Sequence, residues 1–214
     1  MTIPLVIVGA GGFGRETLDV VEAINASSSG QQFDLIGIVD DSPSEESLRR
    51  IAVRGVAWLG GVVPWLESGR GAQYLLGIGS PSVRRAIDEQ FLQQGAIAAT
   101  AIHPRAGIGS MHSVASGTVV CAGAQVSTNV TLGRHAHINP NATIGHDTVL
   151  EDFVSVNPGA VISGEVVVGA DSLIGAGSVI LQGLRIGRAS IVGAASCVTR
   201  DVPPHSIVKG IPAK

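Results

Sequence analysis

An aliphatic residue recurs at every sixth position through the second half of the chain, and few backbones accommodate that. Stepping by six from Ile102 meets Ile108, Val114, Val120, Val126, Leu132, Ile138, Ile144, Leu150, Val156, Ile162, Val168, Ile174, Ile180, Ile186, Val192 and Val198. All 17 are Ile, Leu or Val. With about one residue in three of these types and any phase allowed, chance gives such a run with a probability of roughly 10⁻⁷. The fourth residue after each aliphatic is Ala, Ser or Thr in 11 of the 17 hexads, and Gly often follows directly, as at Gly109, Gly133, Gly145, Gly169, Gly175, Gly187 and Gly193.

Six is not a helical period, and a helix would not carry this much Gly and β-branching. Six fits short extended faces joined by tight corners, with the aliphatic inside, a small residue beside it and Gly supporting the turns. Successive coils then stack as parallel strands about 4.8 Å apart. Composition agrees: the 214 residues are 45% hydrophobic but only 3% aromatic, with 29 Gly, so the core is built from branched and small side chains. The pattern predicts a parallel β-helix of hexapeptide repeats. A β-solenoid serving purely as a scaffold is the alternative reading.

The first hundred residues alternate differently. Residues 3–9 read as a buried strand, 33–41 as a second strand ending in Asp40 and Asp41, and 74–79 as a third. Helical stretches are predicted from about Arg15 to Ala26 and from about Ser82 to Gln93. This order predicts a small parallel α/β unit. Between the first strand and helix, Gly9–Gly14 matches G-x-G-x-x-G, whose glycines let backbone approach phosphate at a helix N-terminus. A nicotinamide reading would place Asp40 on a ribose hydroxyl, but about 100 residues is short for a full dinucleotide domain. A mononucleotide or diphosphate ligand fits better, and a tight structural turn is the alternative.

The bulk numbers exclude some classes. The net charge of −3 gives no basic surface for nucleic acid. No basic leader is expected, and no apolar run comes near the roughly 18 residues needed to span a bilayer. Cys121 and Cys197 do not suggest a disulfide framework. The expectation is a soluble, cytoplasmic protein.

The chain resembles, over 1–214, the bacterial nucleotide-sugar acetyltransferases of the sialic-acid, bacillosamine and perosamine pathways. The residues that carry this are the Gly-Ala-Gly-Gly-Phe-Gly turn, Asp40-Asp41, Gly77-Ile78-Gly79, Gly145-His146-Asp147 and the closing Val208-Lys209-Gly210-Ile211-Pro212-Ala213-Lys214. The resemblance implies a Rossmann-like nucleotide-sugar domain over 1–98 and a left-handed β-helix over 99–214. It further implies a homotrimer with acetyl-CoA bound between adjacent chains. Carried over by position, Gly11, Gly12, Phe13, Asp40, Asp41 and Gly79 are expected to contact the nucleotide sugar. Ser155, Gly164, Ala176 and Ala194 are expected to line the acetyl-CoA slot. Some relatives have a second His where Ser155 stands.

Of the six histidines, none has convincing metal-ligand spacing with another, and no metal is expected. His146 is the one the resemblance singles out, as general base with Asp147 beside it. Imidazole titrates near neutrality and can take the proton of an attacking sugar amine, and a neighbouring carboxylate favours the imidazolium that forms. The Gly164 N–H is expected to stabilise the oxyanion, and Asn139 to orient the acceptor or to serve structure. The expected reaction is N-acetylation of a nucleotide-linked amino sugar by acetyl-CoA. The alternatives are O-acetylation of a sugar hydroxyl, and a nucleotide-sugar-binding scaffold without catalysis.

Overall fold

In the computed structural model, which describes residues 2–27 and 33–214, the chain divides into two units, Met1–Pro104 and Arg105–Lys214. The first unit is built on strand β1 (Ile3–Val8). Leu5, Val6, Ile7 and Val8 of that strand are at most 1% exposed, as expected for a strand covered on both faces. Helix α1 (Gly12–Ala26) follows, then strand β2 (Phe33–Val39), helices α2 (Glu45–Val53) and α3 (Val62–Glu67), strand β3 (Gln73–Leu76) and helix α4 (Pro81–Gln93). The sheet order is β2-β1-β3, all parallel.

The three strands and the two longer helices are those the sequence predicts. Helices α2 and α3 are not. In α2 only Ile51 is buried, so no apolar stripe marks it. Its one legible signal is the cap: Ser44 Oγ accepts from the Ser47 amide at 3.1 Å, and Glu45 and Glu46 occupy the first turn. Helix α3 has only six residues, with Pro64 among them.

The second unit is the predicted solenoid. His137–Ile138 pairs in parallel with Val119–Val120 and with Ser155–Val156, so neighbouring strands lie 18 residues apart. The same spacing joins Thr143–Ile144 to residues 125–126 and 161–162, and Val149–Leu150 to residues 131–132 and 167–168. Three hexads therefore make one coil, and the two-residue strands stack into three sheets. Fourteen of the seventeen periodic aliphatics, Val120 to Val198, are at most 3% exposed.

The corners hold a physical detail that the period did not reveal. Gly was expected to relieve the turn backbone. Instead, the left-handed conformation falls two residues after the Gly position and is borne mostly by other residues: Asn129 (φ 56°), Asp147 (φ 59°) and Glu165 (φ 60°). Gly at the first corner position is required by crowding between coils. A Cβ on Gly145 would lie 2.5 Å from the Gly164 nitrogen of the next coil. The small polar residues also have a bonding role. Thr118 Oγ1 donates to Gly133 O at 3.0 Å, Thr148 Oγ1 to Ser163 O at 3.1 Å and Ser172 Oγ to Gly187 O at 2.9 Å. These buried hydroxyls satisfy corner carbonyls that no strand reaches.

Candidate active site

His146 and Asp147 occupy the corner that follows Thr143–Ile144. Asp147 is left-handed, its amide donates to Thr128 O in the preceding coil at 3.1 Å, and the His146 carbonyl accepts from the Glu165 amide in the following coil at 2.8 Å. Backbone is thus held from both sides while the side chains stay accessible, at 48% and 44% exposure. His146 Nδ1 lies 2.6 Å from Asp147 Oδ2. The other carboxylate oxygen, Oδ1, accepts from Asn129 Nδ2 at 2.6 Å. These two hydrogen bonds, Asn129's the larger, hold the Asp147 carboxyl below its ordinary range.

The imidazole lies over Gly164, one coil further on. A Cβ there would come 2.5 Å from His146 Nε2 and 2.6 Å from Cε1. Only Gly leaves room for the ring in this position. The Gly164 amide has no hydrogen-bond partner among the described residues. A basic nitrogen and an unspent N–H donor therefore stand together at one corner, as proton abstraction coupled to oxyanion stabilisation requires.

The remaining predicted solenoid residues lie elsewhere. Asn139 is at the preceding corner, 6% exposed, and its Nδ2 donates to Val156 O at 2.9 Å, so this amide is spent on the neighbouring coil. Ala176 and Ala194 are exposed one above the other at that same preceding corner, where the Ala195 amide donates to Ala176 O. Ser155 lies in the strand leading into it, 2% exposed. Within one chain, a strand face separates the His146 corner from Ala176 and Ala194.

In the first unit, the predicted nucleotide-binding residues gather at the C-terminal ends of the parallel strands, where α/β sheets take their ligands. Gly14 packs against Gly9: a Cβ would fall 1.8 Å from Gly9 O. Gly77 in turn abuts Gly14 Cα. Gly11, Gly12 and Gly79 instead face open space. Gly11 caps α1 without a side-chain bond, and the first turn carries no acidic residue, leaving a positive helix end for a phosphate. Phe13 is half-buried just inside that helix. Asp40 Oδ2 accepts from the Ala10 amide at 2.7 Å and Oδ1 from the Ser42 amide at 2.9 Å. Asp41 Oδ1 accepts from the Val62 amide at 2.7 Å, tying the pair to the start of α3. Each carboxylate keeps spare acceptor capacity.

Sequence reasoning missed two residues here. Arg84, 0% exposed, donates from Nη1 to Ile78 O at 2.9 Å and Gly79 O at 3.2 Å, so it fixes the Gly77–Gly79 loop. Charged residues on a helix read as solvated, and nothing in the spacing marks this one. Asn129 was legible in principle, because it precedes Asp147 by one 18-residue coil. A cavity of about 550 Å3 against Ile3, Trp65, Gln73 and Phe91 lies at the opposite end of the strands and touches none of the predicted residues. Among the described residues there is no cluster of metal-ligating side chains and no helix long and apolar enough to cross a membrane.

Residues 4–91 match the PglD N-terminal domain, and residues 147–182 match the bacterial transferase hexapeptide (six repeats). The chain is 30% identical over 150 residues to GDP-perosamine N-acetyltransferase of Escherichia coli O157:H7, covering 70% of this chain and 65% of that protein's length. Perosamine N-acetyltransferase from Caulobacter crescentus, solved as a His-to-Asn variant in complex with CoA and GDP-perosamine, superposes with a TM-score of 0.87 at 28% identity, covering 99% of this chain and 95% of that one. The acetyltransferase domain of PglB from Neisseria gonorrhoeae FA1090, in complex with acetyl coenzyme A, superposes with a TM-score of 0.84 at 27% identity, covering 100% and 99%.

Proposed function

Because this chain belongs to the sugar acetyltransferases that join a PglD-type N-terminal domain to a left-handed hexapeptide β-helix, we propose that it transfers acetyl from acetyl-CoA to the amino group of a nucleotide-linked amino sugar. The observation that carries this is the His146–Asp147 pair at 2.6 Å, with the imidazole set over the Gly164 amide of the next coil.

In this reading the amine nitrogen attacks the thioester carbonyl carbon while His146 Nε2 takes the amine proton. Asp147 stabilises the imidazolium, and the Gly164 N–H receives the charge on the carbonyl oxygen. Collapse forms the amide, breaks the C–S bond and releases the CoA thiolate, which the imidazolium protonates. No acyl-enzyme intervenes. The nucleotide-sugar domain, about residues 1–98 of the first unit, holds the nucleotide sugar: Gly11, Gly12 and Phe13 at the diphosphate, Asp40 and Asp41 on base or ribose donors, and Gly79 at the same site.

Acetyl-CoA lies against Gly164, Ala176 and Ala194 of the solenoid, about residues 99–214, and not against Ser155, which is buried in its strand. Because Ala176 and Ala194 stand at a different corner from His146 within one chain, a single slot containing all of them needs two chains, which supports a homotrimer with shared sites. In this reading the protein works without a metal, in the cytoplasm, in polysaccharide biosynthesis.

The test is release of CoA thiol from acetyl-CoA on addition of GDP-perosamine, with UDP- and dTDP-linked 4-amino and 3-amino sugars and hydroxyl-only sugars alongside. Release with an amino sugar, and an N-acetyl product by mass, is expected. Release only with hydroxyl acceptors replaces the reading with O-acetylation. Nucleotide-sugar binding with no acetyl-CoA binding replaces it with a scaffold.

A further inference from the structure

We propose that Asn129 is a positioning residue for this site: its amide holds one oxygen of Asp147, so that the other receives His146 Nδ1–H and Nε2 is left as the base. The inference rests on the reading of His146 as base, and it concerns a residue one full coil away in sequence.

The geometry is a chain of three side chains across two coils. Asn129 and Asp147 are both left-handed, at φ 56° and 59°, at the same corner position 18 residues apart. Their backbones are fixed alike, Asn129 N to Ser110 O at 2.9 Å and Asp147 N to Thr128 O at 3.1 Å. The two short side chains therefore emerge stacked, and Asn129 Nδ2 reaches Asp147 Oδ1 at 2.6 Å. A carboxylate only accepts, so the amide must present its NH2. The terminal torsion of an Asp is broad and nearly two-fold. An exposed Asp bonded to His alone would swing and share both oxygens with water. Bonds to two different partners, one on each oxygen, define the plane of the carboxylate.

That plane decides the tautomer of His146. With Oδ2 fixed 2.6 Å from Nδ1, the neutral ring carries its proton on Nδ1, and the lone pair sits on Nε2, the atom over Gly164. Without Asn129 the ring is freer to protonate Nε2, which removes the base from the reacting side. The hydrogen bond from Asn129 is also the main reason Asp147 stays ionised below its usual range.

The test uses the full-length protein with 15N-labelled histidine, and reads the tautomer of His146 by its ring nitrogen shifts in the parent, Asn129→Gly and Asn129→Asp. Gly is chosen because it adopts the left-handed backbone without strain. In Asn129→Gly the Nδ1–H form is expected to lose population to Nε2–H. With an accepted substrate, kcat falls about tenfold, within the coupling range of one hydrogen-bond network, while both KM values stay within about twofold. Asn129→Asp, which sets a second carboxylate against Asp147, is expected to be worse than Gly, whereas a space-filling role predicts the reverse. In an Asp147→Asn background the Gly substitution should have no further effect on kcat. An unchanged tautomer, or an equal loss of kcat in both backgrounds, overturns the proposal. Failure of the parent reading is seen separately, as full turnover by His146→Ala, and the tautomer spectrum still decides the role of Asn129.

Discussion

The His146 corner and the glycine turn of the first unit both place backbone amides near a functional side chain, but they do so by opposite means. At the corner, the contacts beyond the adjacent His146–Asp147 pair are one coil away: Asn129 to Asp147 and His146 to Gly164 are each 18 residues apart. In the first unit the contacts follow no fixed interval. Asp40 reaches Ala10 across 30 residues, Asp41 reaches Val62 across 21, and Arg84 reaches back to Gly79 across 5. The repeat turns sequence spacing into spatial neighbourhood, so a site there can be altered one rung at a time. The α/β site depends on how the sheet closes, and its parts support one another.

The largest effect that sharpens this contrast is expected from His146→Ala. Turnover should fall by about 10²–10⁴, while circular dichroism and melting are nearly unchanged, because the ring is half-exposed. Near-normal turnover would remove the corner from the chemistry.

Next is Gly164→Ala. The added methyl meets the imidazole at 2.5 Å and must displace it. A misplacement of this order costs roughly 10²-fold in kcat. A crystal structure of the variant with an unmoved ring would break the rung-on-rung account.

In the first unit, Asp40→Asn turns an amide NH2 toward either Ala10 N–H or Ser42 N–H, both of which now find an acceptor. A loss of about 1–3 kcal/mol in stability is expected, together with a raised KM for the nucleotide sugar and a kcat within a few-fold. A change in KM with no loss of melting temperature would show that the two parts of this site are separable after all.

Among single rungs, Thr118→Val removes a hydroxyl that donates to Ala115 O at 2.8 Å and Gly133 O at 3.0 Å. It should cost about 1–3 kcal/mol by chemical denaturation and leave turnover untouched. The smallest effect is the acid dependence of Asp147. Its folded carboxyl lies below the unfolded value, first because of Asn129 and then because of His146. The stabilisation is therefore present above the ordinary Asp range and lost as pH falls through the depressed value. The melting-temperature difference between the parent and Asp147→Asn should be constant near neutrality and shrink only on acidification. A difference that instead collapsed above pH 5 would assign it to another group.

Much of the solenoid was legible because its signal is one-dimensional. The interior row and the parallel ladder follow from counting in sixes, whereas the pairing of His146 with Gly164 was implied by the family resemblance. The reason for the Gly that often follows the aliphatic was misread, since crowding against the next coil cannot be seen in a single hexad. In the first unit the strands and the longer helices were legible. Helix α2 was hidden by its single buried residue, and α3 by its brevity. Arg84 was hidden because burial of a charge depends on carbonyls that only the folded loop presents to it.

By itself, then, the sequence determined the period and the order of elements, because short-range backbone preference and side-chain burial are encoded locally. The tertiary structure alone decided that Asn139 spends its amide on Val156, that Ala176 and Ala194 stand at a different corner from His146, and that Asp147 divides its oxygens between Asn129 and His146. These are directional contacts, and a hydrogen bond has a partner only once two distant backbones have been brought within 3 Å or so of one another.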